Sequence, residues 1–234
     1  MKILVIGLGY VGTANAVLLA LKNEVVCYDI DQNKVNSINK NKSPIEDIEV
    51  TEYLSQQKLN LKAVDQFPKD EDFDFVIIAT PTNYDPENNY FDTSSVKSTI
   101  DYLEKINSNA TIIIRSTLPV GFIKSIQKDY KKNEIIFVPE FLREGRALYD
   151  SFHPSRIVIG SHSEKAKKFA SLLLEGAQDK NTKILFINST EAESSKLFAN
   201  AFLALRVTFF NELDSFAMSR DLNTQEIINA ISLD

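Results

Sequence analysis

An α/β fold on a doubly wound, mostly parallel sheet, followed by a long helix, is what this sequence predicts from three observations. Short apolar runs of strand length alternate with helix-length stretches from the amino terminus to about residue 187. Three glycines, Gly7, Gly9 and Gly12, fall in the G-x-G-x-x-G spacing at the first of these junctions. Thr190 through Ser219 contains neither Gly nor Pro, so it can run as one helix of roughly 45 Å at 1.5 Å per residue.

The amino-terminal unit is a β-α-β crossover, with Ile3 to Ile6 as a buried strand, Val11 to Leu21 as a helix and Glu24 to Ile30 as the next strand. Each glycine at its turn has its own reason. Gly7 permits a tight turn, Gly9 leaves no Cβ between the backbone and a pyrophosphate, and Gly12 lets the helix pack close to the strand. The helix N-terminus offers unpaired N–H groups and a partial positive charge to phosphates. Asp29, about twenty residues after the first glycine, stands where a carboxylate accepts hydrogen bonds from both adenosine ribose hydroxyls. A carboxylate there repels a 2′-phosphate, so the expected cofactor is NAD and not NADP. The first unit is therefore expected to be of Rossmann type.

Further along, Asp31 N-caps a helix to Asn39, and Ser43-Pro44-Ile45 is a loop. Helix is expected over residues 48–57, strand over Leu61 to Val64, and a central strand over Phe73 to Ala79. That strand ends in Thr80-Pro81-Thr82-Asn83, at the carboxyl edge where such sheets bind ligands, although a proline turn with solvated threonines reads equally well from the residues alone. A long loop over residues 84–92 precedes a helix from Thr93 to Ile106 and a strand from Thr111 to Arg115. Ser116-Thr117-Leu118-Pro119-Val120-Gly121 is another strand-to-helix junction on the same edge, and Ile135 to Val138 closes a series of about six strands. Phe137-Val138-Pro139-Glu140-Phe141-Leu142-Arg143-Glu144-Gly145 then places two carboxylates four residues apart beside the glycine turn, Thr82 and Thr117. Arg156 to Gly160 and Lys183 to Ile187 are further strands, with a helix from Glu164 to Glu175 between them.

On the long helix, Phe198, Phe202, Leu205 and Phe209 form an apolar stripe. Lys196 and Asn200 lie four apart on another face, with Leu203 and Val207. The predicted division is an NAD-binding domain over residues 1–189 and a long helical segment over residues 190–234.

The net charge of −6 argues against a nucleic-acid surface, so an anionic ligand must be held locally by helix termini and a few cationic side chains. No apolar run approaches the length that spans a bilayer, and the amino terminus reads as a strand and not a signal peptide. A cytoplasmic location, no membrane partner and no metal site are expected. The single cysteine, Cys27, sits in the apolar strand Val25-Val26-Cys27-Tyr28 and reads as a small buried hydrophobe, not a nucleophile.

With GLGYVG, ATPTNYD, RSTLPVGF, VPEFLREGRALYDSFHPSRIVIG and ESSKLFANAFLALRVTFFNEL on the page, the chain resembles the nucleotide-sugar dehydrogenase family over its whole length. The EFLREG form and the K-x-x-x-N helix accompany UDP-glucose oxidation there, and GDP-mannose dehydrogenases have a similar segment. The resemblance implies oxidation of the C6 hydroxyl of UDP-glucose to a carboxylate, with two NAD and one water per substrate. It implies that Gly7, Gly9, Val11 and Gly12 hold the pyrophosphate, and Asp29 and Lys34 the adenosine ribose. Thr82, Thr117 and Glu144 would line the nicotinamide side. Phe141, Leu142, Arg143 and Glu144 would run along the sugar nucleotide, with Lys196 and Asn200 directed at C6. An ammonium and an amide donor suit negative charge on the C6 oxygen. Glu140 with Thr117 would help a water attack a thioester.

In that family the thioester forms on a cysteine in a glycine-rich loop, which the resemblance places beyond residue 234 together with the C-terminal UDP-binding domain. Residues 1–234 are therefore expected to bind NAD with little or no turnover. The resemblance implies that residues 190–234 are a connecting helix and the start of a central dimerisation domain, and the family's corresponding helix contributes to a dimer interface, so a homodimer is expected. Two other readings stand beside this one: a hydroxyacid dehydrogenase of the 6-phosphogluconate type, which shares the glycine turn and a helical Lys with Asn four later, and a noncatalytic NAD-binding assembly module.

Overall fold

The computed structural model describes residues 1–56, 58–87, 90–106 and 108–233. The chain runs β1 (Lys2–Ile6), α1 (Tyr10–Ala20), β2 (Glu24–Tyr28), α2 (Gln32–Asn39), α3 (Ile48–Gln56), β3 (Leu61–Val64) and β4 (Phe75–Ile78). It continues through β5 (Tyr84–Asp85), β6 (Tyr90–Phe91), α4 (Ser94–Lys105), β7 (Thr111–Ile114), α5 (Phe122–Ile126) and β8 (Ile135–Phe137). The remaining elements are α6 (Ala147–Phe152), β9 (Ile157–Ile159), α7 (Glu164–Gly176), β10 (Ile184–Phe186), α8 (Ser189–Met218) and α9 (Thr224–Ile231).

Six strands form one sheet in the order β3-β2-β1-β4-β7-β8. Every pair in it is parallel. Strand order reverses between β1 and β4, which opens a crevice at the carboxyl ends of the strands. Side chains alternate across the sheet, so Ile3, Val5, Ile77 and Ile113 pack on one face with α1 and α7. Leu4, Ile6, Val76, Ile78 and Ile112 pack on the other with α4 and α5. β9 and β10 pair in parallel with each other, and the Gly160 N–H reaches the Phe137 carbonyl at the end of β8 at 2.8 Å.

Helix α1 shows what stabilises these elements. Gly12 to Ala20 are all buried, and no side chain caps its N-terminus. A side-chain cap contributes about 1 kcal/mol, whereas each fully buried Val or Leu contributes about 1.5–3 kcal/mol. Burial therefore carries the helix, and its first N–H groups stay available. By contrast α2 is capped as expected, the Asp31 carboxylate accepting the Asn33 N–H at 2.9 Å.

Several expected boundaries shift. β2 ends at Tyr28 and β4 begins at Phe75, inside the expected bounds of Ile30 and Phe73. The stretch read as a long loop holds a small antiparallel hairpin, Tyr84 opposite Phe91 and Asp85 opposite Tyr90. Helix α6 had no expectation. Gln57, at the end of one expected helix, and Asn88 and Asn89, in the expected loop, lie outside the described residues.

Two compact units divide the chain, Met1–Ser194 and Ser195–Asp234. The uninterrupted helix is observed as α8, 30 residues long. In the second unit α9 is capped by Asn223, whose side chain accepts the Gln225 and Glu226 N–H groups. Among the described residues no helix is long and apolar enough to cross a membrane. None of their His, Cys, Asp and Glu side chains form a group of three able to hold a metal ion.

Candidate functional site

The glycine turn leaves β1 at Ile6, and Gly7 adopts φ +96°, a conformation L side chains rarely take. Its N–H donates to the Tyr28 carbonyl at 2.9 Å, which ties the turn to the end of β2. A Cβ built on Gly7 would stand 2.6 Å from the Ala79 carbonyl oxygen, and one on Gly12 would overlap the Gly7 carbonyl oxygen outright. At Gly9 a Cβ would meet nothing within 4 Å. The fold needs glycine at 7 and 12 for its own packing. At 9 it has no such need, so the bare backbone there faces open space at the start of α1.

Asp29 closes the second side of this cradle. Its Oδ2 accepts the Leu8 N–H at 2.6 Å and its Oδ1 the Asp31 N–H at 2.8 Å, with the residue only 9% exposed. The carboxylate thus braces the glycine loop as well as presenting its remaining lone pairs. Beside it lies a cavity of about 460 Å³. Gly7, Asp29 and Thr80 line one side, and Phe67, Ser98 and Tyr102 line another. The Phe67 and Tyr102 rings meet at 4.5 Å between centroids, and Tyr28 packs edge-on against Phe67 at 5.3 Å. A mostly apolar cavity with a carboxylate in its lining suits a purine and its ribose. Lys34 lies on α2 and Thr82 is half-buried just past the rim; neither lines this cavity.

The sequence reading missed Phe67 and the hydroxyl face of α4. Ser95, Ser98, Thr99 and Tyr102 recur at helical spacing opposite the core positions Val96, Ile100 and Leu103, a pattern that was there to be read. Phe67, in the connection between β3 and β4, carried no comparable signal.

Thr117 sits half-buried in the junction after β7. The Ser116 hydroxyl donates to the Thr80 carbonyl at 2.6 Å, joining this junction to the end of β4. Glu140, just past β8, forms an ion pair with Arg115 through Oε2, lies 3.5 Å from the Asn15 amide nitrogen of α1, and accepts the Phe141 N–H through Oε1 at 3.1 Å. The Arg115 side chain is 6% exposed, and desolvation lowers its pKa from the ordinary value. A buried cation needs its counter-charge, and Glu140 supplies it. Arg115 was expected only as the end of a strand, and Asn15 only within the first helix; neither was expected at the site. A lone Arg ending the run Thr-Ile-Ile-Ile is the signal that such a partner exists.

In the segment after Glu140, Arg143 makes a two-pronged contact with Asp150, Nε at 3.0 Å and an Nη at 2.6 Å, and Asp150 also accepts the Arg143 N–H at 2.8 Å. Phe141 lies under the Arg156 guanidinium, 3.9 Å from the ring centre. Leu142 packs against the core, and Glu144 is exposed. Arg143 therefore shapes its own loop in this structure. Lys196 and Asn200 belong to the second unit, one turn apart on α8, Lys196 half-buried and Asn200 exposed. Cys27 is fully buried in β2, and desolvation together with the Asp29 charge pushes its thiol far up from the ordinary value.

Residues 1–177 match the model of the UDP-glucose/GDP-mannose dehydrogenase family NAD binding domain, and residues 190–234 that of the same family's central domain. The whole chain aligns with UDP-glucose 6-dehydrogenase of Campylobacter jejuni at 48% identity over 60% of that protein. It aligns with UDP-glucose 6-dehydrogenase of Streptococcus pneumoniae at 45% identity over 61%. The chain thus spans about 60% of the length of these curated relatives. Among solved structures, a ternary complex of GDP-mannose dehydrogenase from Pseudomonas aeruginosa superposes with a TM-score of 0.88 at 26% identity, over all of this chain and 57% of that one.

Proposed function

The chain belongs to the UDP-glucose/GDP-mannose dehydrogenase family, and from that premise we propose that residues 1–234 bind NAD and that the protein they form oxidises the C6 alcohol of UDP-glucose to a carboxylate. The carrying observation is the contrast among the three glycines. Packing explains Gly7 and Gly12, while the empty space over Gly9 is accounted for by a pyrophosphate laid against the backbone. The cofactor's adenosine fits the cavity between Asp29 and the Phe67–Tyr102 wall. Bound NAD supplies the hydride acceptor.

Gly9, Val11 and Gly12 direct main-chain N–H groups at the diphosphate, where the α1 dipole adds attraction that the chain's net negative charge does not offer. Asp29 grips the ribose through lone pairs left after its two backbone contacts. Thr82, Thr117 and Glu144 face the nicotinamide side, and Phe141, Leu142, Arg143 and Glu144 follow the sugar nucleotide. The Lys196 ammonium and the Asn200 amide stabilise negative charge on the C6 oxygen. Glu140, held by Arg115 and Asn15, keeps a lone pair of Oε1 for a water that Thr117 helps to orient.

UDP-glucose is favoured over GDP-mannose by the two relatives at 48% and 45% identity, both named for UDP-glucose. Cys27, the one cysteine of residues 1–234, is buried away from any substrate and offers no nucleophile for a second oxidation, so these residues alone turn UDP-glucose over little or not at all. On the second unit, Phe198, Phe202, Leu205 and Phe209 are 73%, 61%, 66% and 58% exposed. An apolar stripe of that size calls for a cover, and a second copy of the chain supplies it.

Titration calorimetry of residues 1–234 with NAD tests the cofactor reading. Saturable binding that NADP does not reproduce is expected, and equal affinity for both cofactors overturns the role given to Asp29.

A further inference from the structure

Glu193 is fully buried near the start of α8, in its second turn, yet neither the glycine turn nor the Glu140 cluster uses it. Its two oxygens reach across the fold to the backbone of the β7–α5 junction. Oε2 accepts the Gly121 N–H at 2.5 Å and Oε1 the Ile123 N–H at 2.7 Å. Gly121 is the N-cap of α5, holds φ +87° and receives no help from a side chain of its own helix. The carboxylate therefore does from a distance what a local cap does elsewhere, with two charge-assisted bonds.

The junction so held is the one that carries Thr117. At its near end the Ser116 hydroxyl is fixed on the Thr80 carbonyl at 2.6 Å, and at its far end Glu193 fixes Gly121. Thr117 lies between two anchors, only one of which is local to the strand it follows. Burial of a carboxylate is costly, and here it raises the pKa of Glu193. A Ser or Asp at position 121 would cap α5 locally, but the positive φ and the turn geometry select glycine, so the acceptor must come from elsewhere.

We propose that Glu193 is a positioning residue that sets the height of the Thr117 loop against the nicotinamide end of the bound cofactor. This rests on the reading that residues 1–234 bind NAD with Thr117 on the nicotinamide side. The adenosine end is built from other parts, the glycine turn, Asp29 and the Phe67–Tyr102 wall, and does not depend on Glu193.

That separation supplies the test. Dissociation constants for NAD and for ADP-ribose, which lacks the nicotinamide, are measured on the wild-type chain, on Glu193→Gln and on Gly121→Ala. Glutamine keeps one acceptor and turns an amide toward the second N–H. Alanine at 121 meets no atom within 4 Å but resists φ +87°, so it loosens the same clamp without touching the carboxylate. Both variants are expected to weaken NAD about tenfold while ADP-ribose changes less than about twofold, a split that general loss of stability does not produce. Equal weakening of both ligands in the folded variants, or no change in either, overturns the role of Glu193. If Glu193→Gln fails to fold, Gly121→Ala decides alone. Wild-type protein that binds neither ligand refutes the cofactor reading itself, a different outcome from a wild type that binds both and variants that do not discriminate.

Discussion

Alanine placed singly at the three glycines of the first turn separates what the fold needs from what the ligand needs. At Gly7 the substitution forces a side chain into φ +96° and puts Cβ 2.6 Å from a backbone oxygen. The left-handed conformation costs about 1–2 kcal/mol and the overpacking about 1–3 kcal/mol, so about 2–5 kcal/mol in all. Gly12→Ala sets Cβ on the Gly7 carbonyl, which no side-chain rotation relieves, and costs at least as much. Gly9 has extended backbone, φ −80° and ψ −169°, and no neighbour, so alanine there changes stability by less than about 1 kcal/mol. Melting of the ligand-free protein should fall by roughly 2–4 °C per kcal/mol for Gly7→Ala and Gly12→Ala and stay near the wild-type value for Gly9→Ala. Calorimetry with NAD should then show Gly9→Ala weakened at least tenfold, about 1.4 kcal/mol, despite its intact fold. A Gly9→Ala protein that binds NAD like the wild type, or that melts as low as Gly7→Ala, refutes the reasoning.

Glu140→Ala leaves the buried Arg115 charge without its partner and should destabilise the first unit by about 3–5 kcal/mol; replacing both residues by methionine should recover most of that loss in chemical denaturation, and no recovery would show that the pair is not the cause. Glu71 is held by Lys2 at 2.8 Å and Lys62 at 3.0 Å, and these hydrogen bonds lower its pKa. A depressed folded pKa makes its contribution complete above the unfolded carboxylate value of 4.5 and lost as pH falls through the folded value. Because the group is part-exposed the loss is under about 1 kcal/mol, and Glu71→Gln should flatten the acid limb of the stability curve by that amount; an unchanged limb would remove Glu71 from the acid response. Sedimentation of residues 1–234 at micromolar concentration should show a dimer or larger species, with Phe202→Asp or Phe209→Asp shifting it to monomer; a wild-type monomer would leave the apolar stripe without the partner assigned to it.

Local periodicity and turn chemistry made the sheet, the glycine cradle and the acid at the end of β2 legible in advance. A strand announces itself by its apolar run, a tight turn by its glycine, and Asp29 by its distance along the chain from that turn. Cys27 was legible for the same reason, since an apolar strand dictates a buried thiol. Strand ends, the hairpin of β5 and β6 and the short α6 were less so, because where a ladder stops depends on what the neighbouring strand offers.

What the sequence determined by itself is therefore the β1–α1–β2 crossover with its glycine turn, Asp29 and the buried Cys27, whose causes lie close together along the chain. Tertiary structure alone decided the partners that meet from afar: Asn15 with Glu140 across 125 positions, and Glu193 with Gly121 across 72. The physical reason is that a buried Arg, Asn or Glu demands a hydrogen-bonding partner without specifying which one, and only the parallel crossovers that stack β1, β4, β7 and β8 side by side choose it.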